Sequence, residues 1–329
     1  MSKSSMKNLS VDPKKKRLQT QILVIAIVVV AFVICHFLTG GRLLAPNNLR
    51  TLLTQVTYPM ILALGMMFIF TGGMIDLSIG AQAILAGNVA AVLVEDFGLG
   101  YAGLIIGAVV AMIVCELLSA SCSVFLGIPS WVAGLGAALV FEAIATIYVG
   151  NRAKTAGAAV VYLKHCQALG KFPTIFIIAI AVFAVAWFIF NRTKLGFNLR
   201  AIGGGGEVAE AMGINRVKTI MLSAAVGAVI ISIGVITQLS YTGRFTTSAG
   251  MGSLSGIFKS LAVILIAGSF SRIFNDAVGC VVGAFIVAGL FNVLTLVGVP
   301  SGTGQDICLG MVVLVCGILS SLGYKGVMK

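Results

Sequence analysis

Residues 101–126 read Tyr101-Ala-Gly-Leu-Ile-Ile-Gly-Ala-Val-Val-Ala-Met-Ile-Val-Cys-Glu-Leu-Leu-Ser-Ala-Ser-Cys-Ser-Val-Phe-Leu126. The run carries a single charged side chain, Glu116, and apolar or small residues lie on every face of it. A hydrocarbon core ~30 Å thick is crossed by ~20 such residues in a helix. A membrane β-strand would instead be ~10 residues long and alternate apolar with polar. The run therefore reads as a transmembrane helix. Nine further stretches share its character. The ten expected spans are 22–38, 52–71, 79–94, 101–126, 131–149, 174–190, 219–240, 259–271, 277–297 and 304–322.

The composition agrees. Hydrophobic types make up 59% of the 329 residues, charged types 10%, and the mean hydropathy is +1.10. Soluble domains carry ~25% charged residues, so a soluble enzyme is excluded. Disorder needs low hydrophobicity and high charge and is excluded too. The expected fold class is an all-α membrane protein, a polytopic bundle of about ten transmembrane helices. Residues 1–20 read as a polar cytoplasmic tail, and residues 21–329 as one membrane domain. No small-x-small cleavage site follows the first span, so that span reads as a retained helix rather than a signal peptide.

The net charge is +12, from 22 Lys and Arg against 10 Asp and Glu. These cations fall between the apolar runs, where they meet lipid headgroups and set orientation. No basic stripe with aromatic platforms is present, so nucleic acid is not an expected partner. A cytoplasmic N-terminus puts 14 of the 22 cations on the cytoplasmic side, and ten spans bring the C-terminus back there. The seven Cys have no C-x-x-C spacing and read as small buried hydrophobes, with no metal site.

Two connections exceed a tight turn. The cytoplasmic one covers 191–218, and the external one covers 150–173 with Arg152, Lys154, Lys164 and Lys171 and no acid. A repeat is also visible. Gly103-Leu-Ile-Ile-Gly107 opens the fourth span and Gly127-Ile-Pro129 follows it; Gly279-Cys-Val-Val-Gly283 opens the ninth and Gly298-Val-Pro300 follows it. Two readings stay open: an inverted five-helix repeat, or the ordinary recurrence of small residues in a Gly-rich membrane protein.

Residues 71–80 read Thr-Gly-Gly-Met-Ile-Asp-Leu-Ser-Ile-Gly. Gly72 and Gly73 permit a helix break, and Asp76 needs a partner, water or the interface. Ser78 is placed to cap the next helix. The segment is either a turn with a capping acid or a broken helix lining a pathway. Residues 203–213 hold Gly203 to Gly206, then Glu207-Val-Ala-Glu-Ala-Met-Gly213. No Lys-Ser/Thr follows the glycines, so this is not a phosphate loop. A short helix over 207–212, ended by Gly213, is expected. Glu116 and Glu142 lie inside spans as relay groups or as interhelical hydrogen-bond partners. No catalytic constellation stands out.

Together these stretches resemble the membrane permease subunit of bacterial ABC importers for ribose, galactose and related simple sugars. The segment 71–80 is similar to that family's T-G-G-I-D-L-S-V-G. Ala201-Ile-Gly-Gly204 and Glu207–Asn215 are similar to its cytoplasmic A-I-G-G-N motif, and Ser248–Gly252 to its external A-G-x-G. This chain departs by the extra Met74, by Gly205 in place of a polar residue, by Ser269 in a Gly-Gly pair, and by Ser253 where an acid follows the external motif.

The resemblance implies a non-enzymatic transport subunit of the bacterial cytoplasmic membrane that passes a small sugar inward as a homodimer. A cytoplasmic ABC ATPase, which carries the ATP and Mg, would engage Gly203, Gly204, Glu207, Ala209, Glu210 and Gly213. This chain itself would hold no cofactor. Gly72, Gly73, Asp76 and Ser78 would line the path or its gate. An extracytoplasmic substrate-binding protein would dock, and the Arg152, Lys154, Lys164 and Lys171 cations are the expected contact. The alternative is an ion-coupled secondary transporter that uses Asp76, Glu116 or Glu142.

Overall fold

The computed structural model describes residues 13–156, 161–271, 273–300 and 302–324. Among the described residues all regular structure is helical: α1 (Pro13–Leu38), α2 (Pro46–Thr71), α3 (Ile79–Glu95), α4 (Gly100–Leu126) and α5 (Ser130–Ala156). A 3₁₀ turn (Gln167–Gly170) precedes α6 (Thr174–Arg192), α7 (Lys194–Gly204), α8 (Gly206–Ala211) and α9 (Arg216–Thr242). The chain ends with α10 (Leu254–Ser269), α11 (Asp276–Val297) and α12 (Thr303–Tyr324). Each of the ten expected spans coincides with one of these helices. The two others, α7 and α8, occupy the 191–218 connection.

Seven of the helices are long and apolar enough to cross a membrane, and α3, α10 and Gly304–Val315 of α12 are shorter apolar segments. Side chains such as Ile22, Val30, Ile106, Val140, Phe188 and Leu314 are exposed around the bundle. An apolar outer surface of this extent belongs in hydrocarbon. The protein is a polytopic helical membrane protein.

Boundaries moved for physical reasons. The eighth span begins at Leu254 rather than Lys259. Lys259 sits inside α10 because its ammonium lies 4.0 Å over the Phe291 ring, while its aliphatic stem packs as an apolar one would. Likewise α5 runs on to Ala156, so Arg152 and Lys154 stand on its last turns rather than in a loop.

The centre of the bundle is α2, buried from Val56 through Ile69 with few interruptions. It packs against α6, α9, α10 and α11. Its crossing with α9 is a glycine contact. A Cβ on Gly65 would lie 2.8 Å from the Gly227 carbonyl oxygen, and one on Gly227 would lie 3.0 Å from the Gly65 carbonyl oxygen. Without lipid-excluding water to drive association, small residues let backbones close to van der Waals distance. The Gly103–Gly107 pair of α4 packs on α3 in the same way, with a Cβ on Gly107 falling 2.9 Å from the Ala90 Cα. The Gly279–Gly283 pair of α11 packs on α10, with a Cβ on Gly283 2.8 Å from the Val263 carbonyl oxygen. Helix pairs recur in step: α3 with α4 and α10 with α11, α3 with α5 and α10 with α12, α4 with α9 and α11 with α2. Gly127 (φ 67) ends α4 and Gly298 (φ 89) ends α11, each in the left-handed conformation that glycine adopts without strain. In contrast, α1 lies outside, touching α11 through Phe32 over Gly289.

Replacing Gly227 by Val should force α2 and α9 apart and cost about 1–3 kcal/mol, the range for overpacking. Thermal unfolding in detergent should show a loss of several degrees. Gly136→Val, at an open site with no atom within 4 Å, should show none. Equal melting of both variants would remove the crossing from the core of the fold.

Candidate functional site

Where α2 stops at Thr71, the chain turns through Gly72 and Gly73 (φ +82) and runs without regular structure to Ser78. That segment is held on all sides. The Ile75 N–H donates to Ser130 Oγ of α5 at 3.0 Å. Asp76 is 1% exposed, and its Oδ1 accepts from the Ser78 N–H at 2.6 Å and the Ser78 hydroxyl at 2.7 Å. The expectation that Ser78 caps α3 is therefore corrected. Its side chain makes no cap bond, and Asp76 takes up the first amide instead. Gly134 of α5 makes room: a Cβ there would lie 2.9 Å from Asp76 Oδ1.

Gln82, one turn into α3, extends the cluster. Its Nε2 donates to Ser78 Oγ (2.7 Å), Asp76 Oδ2 (3.3 Å) and Glu116 Oε2 of α4 (3.0 Å). Glu116 is fully buried. The only ion pair among the described residues is His165–Glu95, so neither carboxylate has a cation within 4 Å. One amide group with two hydrogens thus bridges three acceptors. The sequence reading found Asp76 and Glu116 and missed Gln82, whose signal was a lone amide one turn after Ser78.

The start of α10 repeats the device. Glu142 of α5 is 2% exposed and accepts from the Met251 N–H at 2.8 Å and the Ser253 N–H at 2.7 Å. The acid missing after Gly252 in the sequence is supplied in space by another helix. Gly80 of α3 lies so close to the Ser253 carbonyl that no Cβ fits between them. The two short helices therefore begin side by side, each on a buried carboxylate.

The expected coupling residues lie against the same segment. Gly203 of α7 abuts the Thr71 carbonyl, and Leu199 packs against Gly72. Gly204 has open space around it. In α8, Ala209 is buried, Glu207 and Glu210 are exposed, and Gly213 (φ 86) turns the chain away. Val208 and Met212 are 66% and 77% exposed. They form an apolar patch one helical turn apart that the sequence reading did not single out. A cavity of about 450 Å³ is lined by Gly72, Gly73, Ser130, Glu210 and Arg216. Arg200 of α7 lies over Phe190 and Phe197 and donates to Asn191 Oδ1 at 3.2 Å, while Asn191 and Asn275 exchange amide hydrogen bonds. That links α7 to the start of α11.

The remaining candidates stand at the other end of the bundle. Lys164 and Lys171 are exposed. The Lys164 and His165 amides donate to Glu95 Oε1 at 2.7 and 3.0 Å, and His165 Nδ1 lies 3.2 Å from Glu95 Oε2. The connection is thus pinned to the end of α3. The side chains of Arg152 and Lys154 lie outside the described residues. No group of three His, Cys, Asp or Glu that could hold a metal occurs among the described residues, and the six Cys found there are free thiols.

These features define a membrane permease: a helical bundle with two interrupted helices at its centre and a short exposed helix packed against one interruption. The family model described as "Branched-chain amino acid transport system / permease component" matches residues 48–317. The chain belongs to that family. It is similar to the galactose/methyl galactoside import permease protein MglC of Escherichia coli (strain K12), 29% identical over 324 residues that cover 92% of this chain and 94% of the relative. The protein of the same description from Treponema pallidum is 27% identical and matches 90% of this chain, which spans only 60% of that relative. The ribose import permease protein RbsC of Escherichia coli (strain K12) is 28% identical, covering 78% of this chain and 80% of its own length. No solved structure matches the chain.

Gln82→Leu should leave two buried carboxylates without their shared donor. Leaving a buried polar group unpaired costs about 1–3 kcal/mol, so the variant should melt several degrees below the parent in detergent. Gln82→Glu should be at least as damaging, since it adds a third acid to the cluster. A parent-like melting curve for both would show that the amide bridge contributes nothing to the fold.

Proposed function

We propose that this chain is the membrane-spanning permease subunit of an ATP-driven ABC importer of a small sugar. The observation that carries the reading is α8. It presents Val208, Met212, Glu207 and Glu210 outward, while α7 beside it rests on the Thr71 and Gly72 end of α2. An ATPase seated on α8 would move α7, and α7 would move the 72–78 segment. The kind of substrate is supported by the relatives, which are named for galactose, ribose and, in one Escherichia coli protein, xylose. Substrate identity would rest mainly on a separate binding protein.

In this reading the α7–α8 end faces the cytoplasm, both termini lie there, and Lys164 and Lys171 face outward. ATP and Mg belong to the ATPase partner and this chain performs no hydrolysis. A second copy of the chain completes the transporter as a homodimer. Residues 21–329 act as one permease domain, and Gly72, Gly73, Asp76 and Ser78 form its gate. The inverted repeat belongs to the proposal as well. What supports it is the recurrence of helix pairs, which matches α2 to α9, α3 to α10, α4 to α11 and α5 to α12. The Asp76 and Glu142 caps then occupy equivalent places at the starts of α3 and α10.

The test is uptake of labelled pentoses and hexoses into cells that hold this chain with its ATPase and binding-protein partners. Uptake should need ATP. The double change Glu207→Ala, Glu210→Ala should lower it several-fold while the protein stays in the membrane. A second reading, an ion-coupled carrier, draws on the Asp76–Gln82–Glu116 cluster. Uptake that survives ATP depletion and follows an ion gradient would replace the first reading with that one.

A further prediction concerns the outer face. Reversing Lys164 and Lys171 to Glu should weaken capture of the binding protein and make uptake more sensitive to salt, because rim charges act mainly on encounter. The backbone bonds to Glu95 do not involve those side chains, so folding should be unchanged. Uptake equal to the parent at every ionic strength would remove these cations from docking.

A further inference from the structure

At the end of the bundle away from α8, five helices enclose a polar cavity of about 250 Å³. It lies between the first half of α2, the end of α9, the start of α10, the end of α11 and the start of α12. Its polar lining includes Gln55, Tyr58, Gln238, Lys259, Ser260 and Gln305. A wider cavity of about 530 Å³ shares Thr54 and Tyr241 with it and reaches Arg50 and Lys171. The two form a path from the surface into the bundle.

The hydrogen-bonding groups of the inner cavity are largely unused. Ser260 is 1% exposed and its hydroxyl has no partner. Among the described residues the side chains of Gln55, Tyr58 and Gln238 also make no hydrogen bond. Buried polar groups in native proteins nearly always find partners, and here several such groups converge on one space. Their chemistry is mixed. Amides donate and accept, hydroxyls do both, and Lys259 donates only. No Asp or Glu lines either cavity, so a cationic solute is disfavoured. The single inner cation is already placed over the Phe291 ring at 4.0 Å, and no forked Arg stands ready for a carboxylate or phosphate. The size is below the ~300–1,000 Å³ of drug-sized pockets.

We infer that this cavity is a solute site within a single permease chain, which accepts an uncharged polyhydroxylated molecule of monosaccharide size on its way inward. Gln55, Tyr58, Gln238 and Ser260 exchange hydrogen bonds with its hydroxyls, and Lys259 donates to one of them. The inference rests on the permease reading and adds to it a place and a set of residues. Those residues lie on α2, α9 and α10, which are also the helices that meet the 72–78 segment and the Ser253 start of α10. A solute here therefore sits one layer above the interrupted helices.

The experiment uses the complete transporter in cells and as purified protein. Initial uptake of labelled D-galactose and D-ribose is measured for Lys259→Met and Gln238→Leu, with Lys259→Arg and Gln238→Asn as conservative partners. Arg42→Gln, outside both cavities, is the control. Each of the first two variants should lose about tenfold in uptake, the factor that one hydrogen bond carries. Their ATP hydrolysis and membrane content should stay near the parent's, and the conservative variants should recover part of the loss. In parallel, the thiol introduced by Gln238→Cys should react with an impermeant maleimide from outside, and the transported sugar should slow that reaction. Parent-like uptake in both variants, or labelling that the sugar does not slow, would overturn the site. A sugar acid taken up in preference to the neutral sugars would overturn the proposed class of solute. Failure of the permease reading is separate: the parent itself would then show uptake independent of the ATPase.

Discussion

Two buried carboxylates hold the centre of this molecule. A helix that begins inside the bundle leaves its first amides without partners, and hydrocarbon offers none. Helices α3 and α10 are 17 and 16 residues long, short of the ~20 that span a bilayer. Each begins beside the other, and each has an acid at its start: Asp76 within its own segment for α3, Glu142 from a neighbouring helix for α10. Negative charge at a helix N-terminus is also favoured by the helix dipole. Both interruptions depend on these bonds.

The rest of the bundle is arranged so that those acids can be where they are. Gly134 lets α5 pass close to Asp76, and Glu142 follows two turns later on the same helix, ~12 Å along its axis. So α5 braces both interruptions. Gly65 and Gly227 bring α2 and α9 into backbone contact, which fixes the frame around which the other helices pack. Gln82 joins the Asp76 side to Glu116 in α4. Such polar networks inside apolar surroundings specify one arrangement, because each alternative strands a polar group.

Motion and function connect through α7. This helix rests on the last turn of α2 through Gly203 and Leu199, and it reaches α11 through Arg200, Asn191 and Asn275. A push on α8 thus has two contiguous routes into the bundle. One leads to the 72–78 segment and the other to a helix whose far end lines the polar cavity through Phe291 and Thr295. Asn292, near that end, also exchanges amide bonds with Asn48 at the start of α2. The core is close-packed along these routes, and packed cores transmit displacement rather than absorb it.

The sequence by itself determined the class of fold and the position of every span. Twenty-residue apolar runs have one stable form in a bilayer, and the family motifs at 71–80 and 201–215 are local strings. It also placed the α8 helix, since acids ahead of Gly213 are a local signal. What only the tertiary structure decided was pairing. Ser78 has the composition of a cap, yet Asp76 does the capping, because the geometry of the turn aims the carboxylate at the amide. Glu142 looked like an isolated acid in a span, and its partners lie over a hundred residues away in sequence. Gln82, Gly134 and the polar cavity around Lys259 and Gln238 carry no periodic or motif signal at all. Their roles come from helices distant in the chain meeting at one depth, and a one-dimensional pattern does not encode which helix faces which.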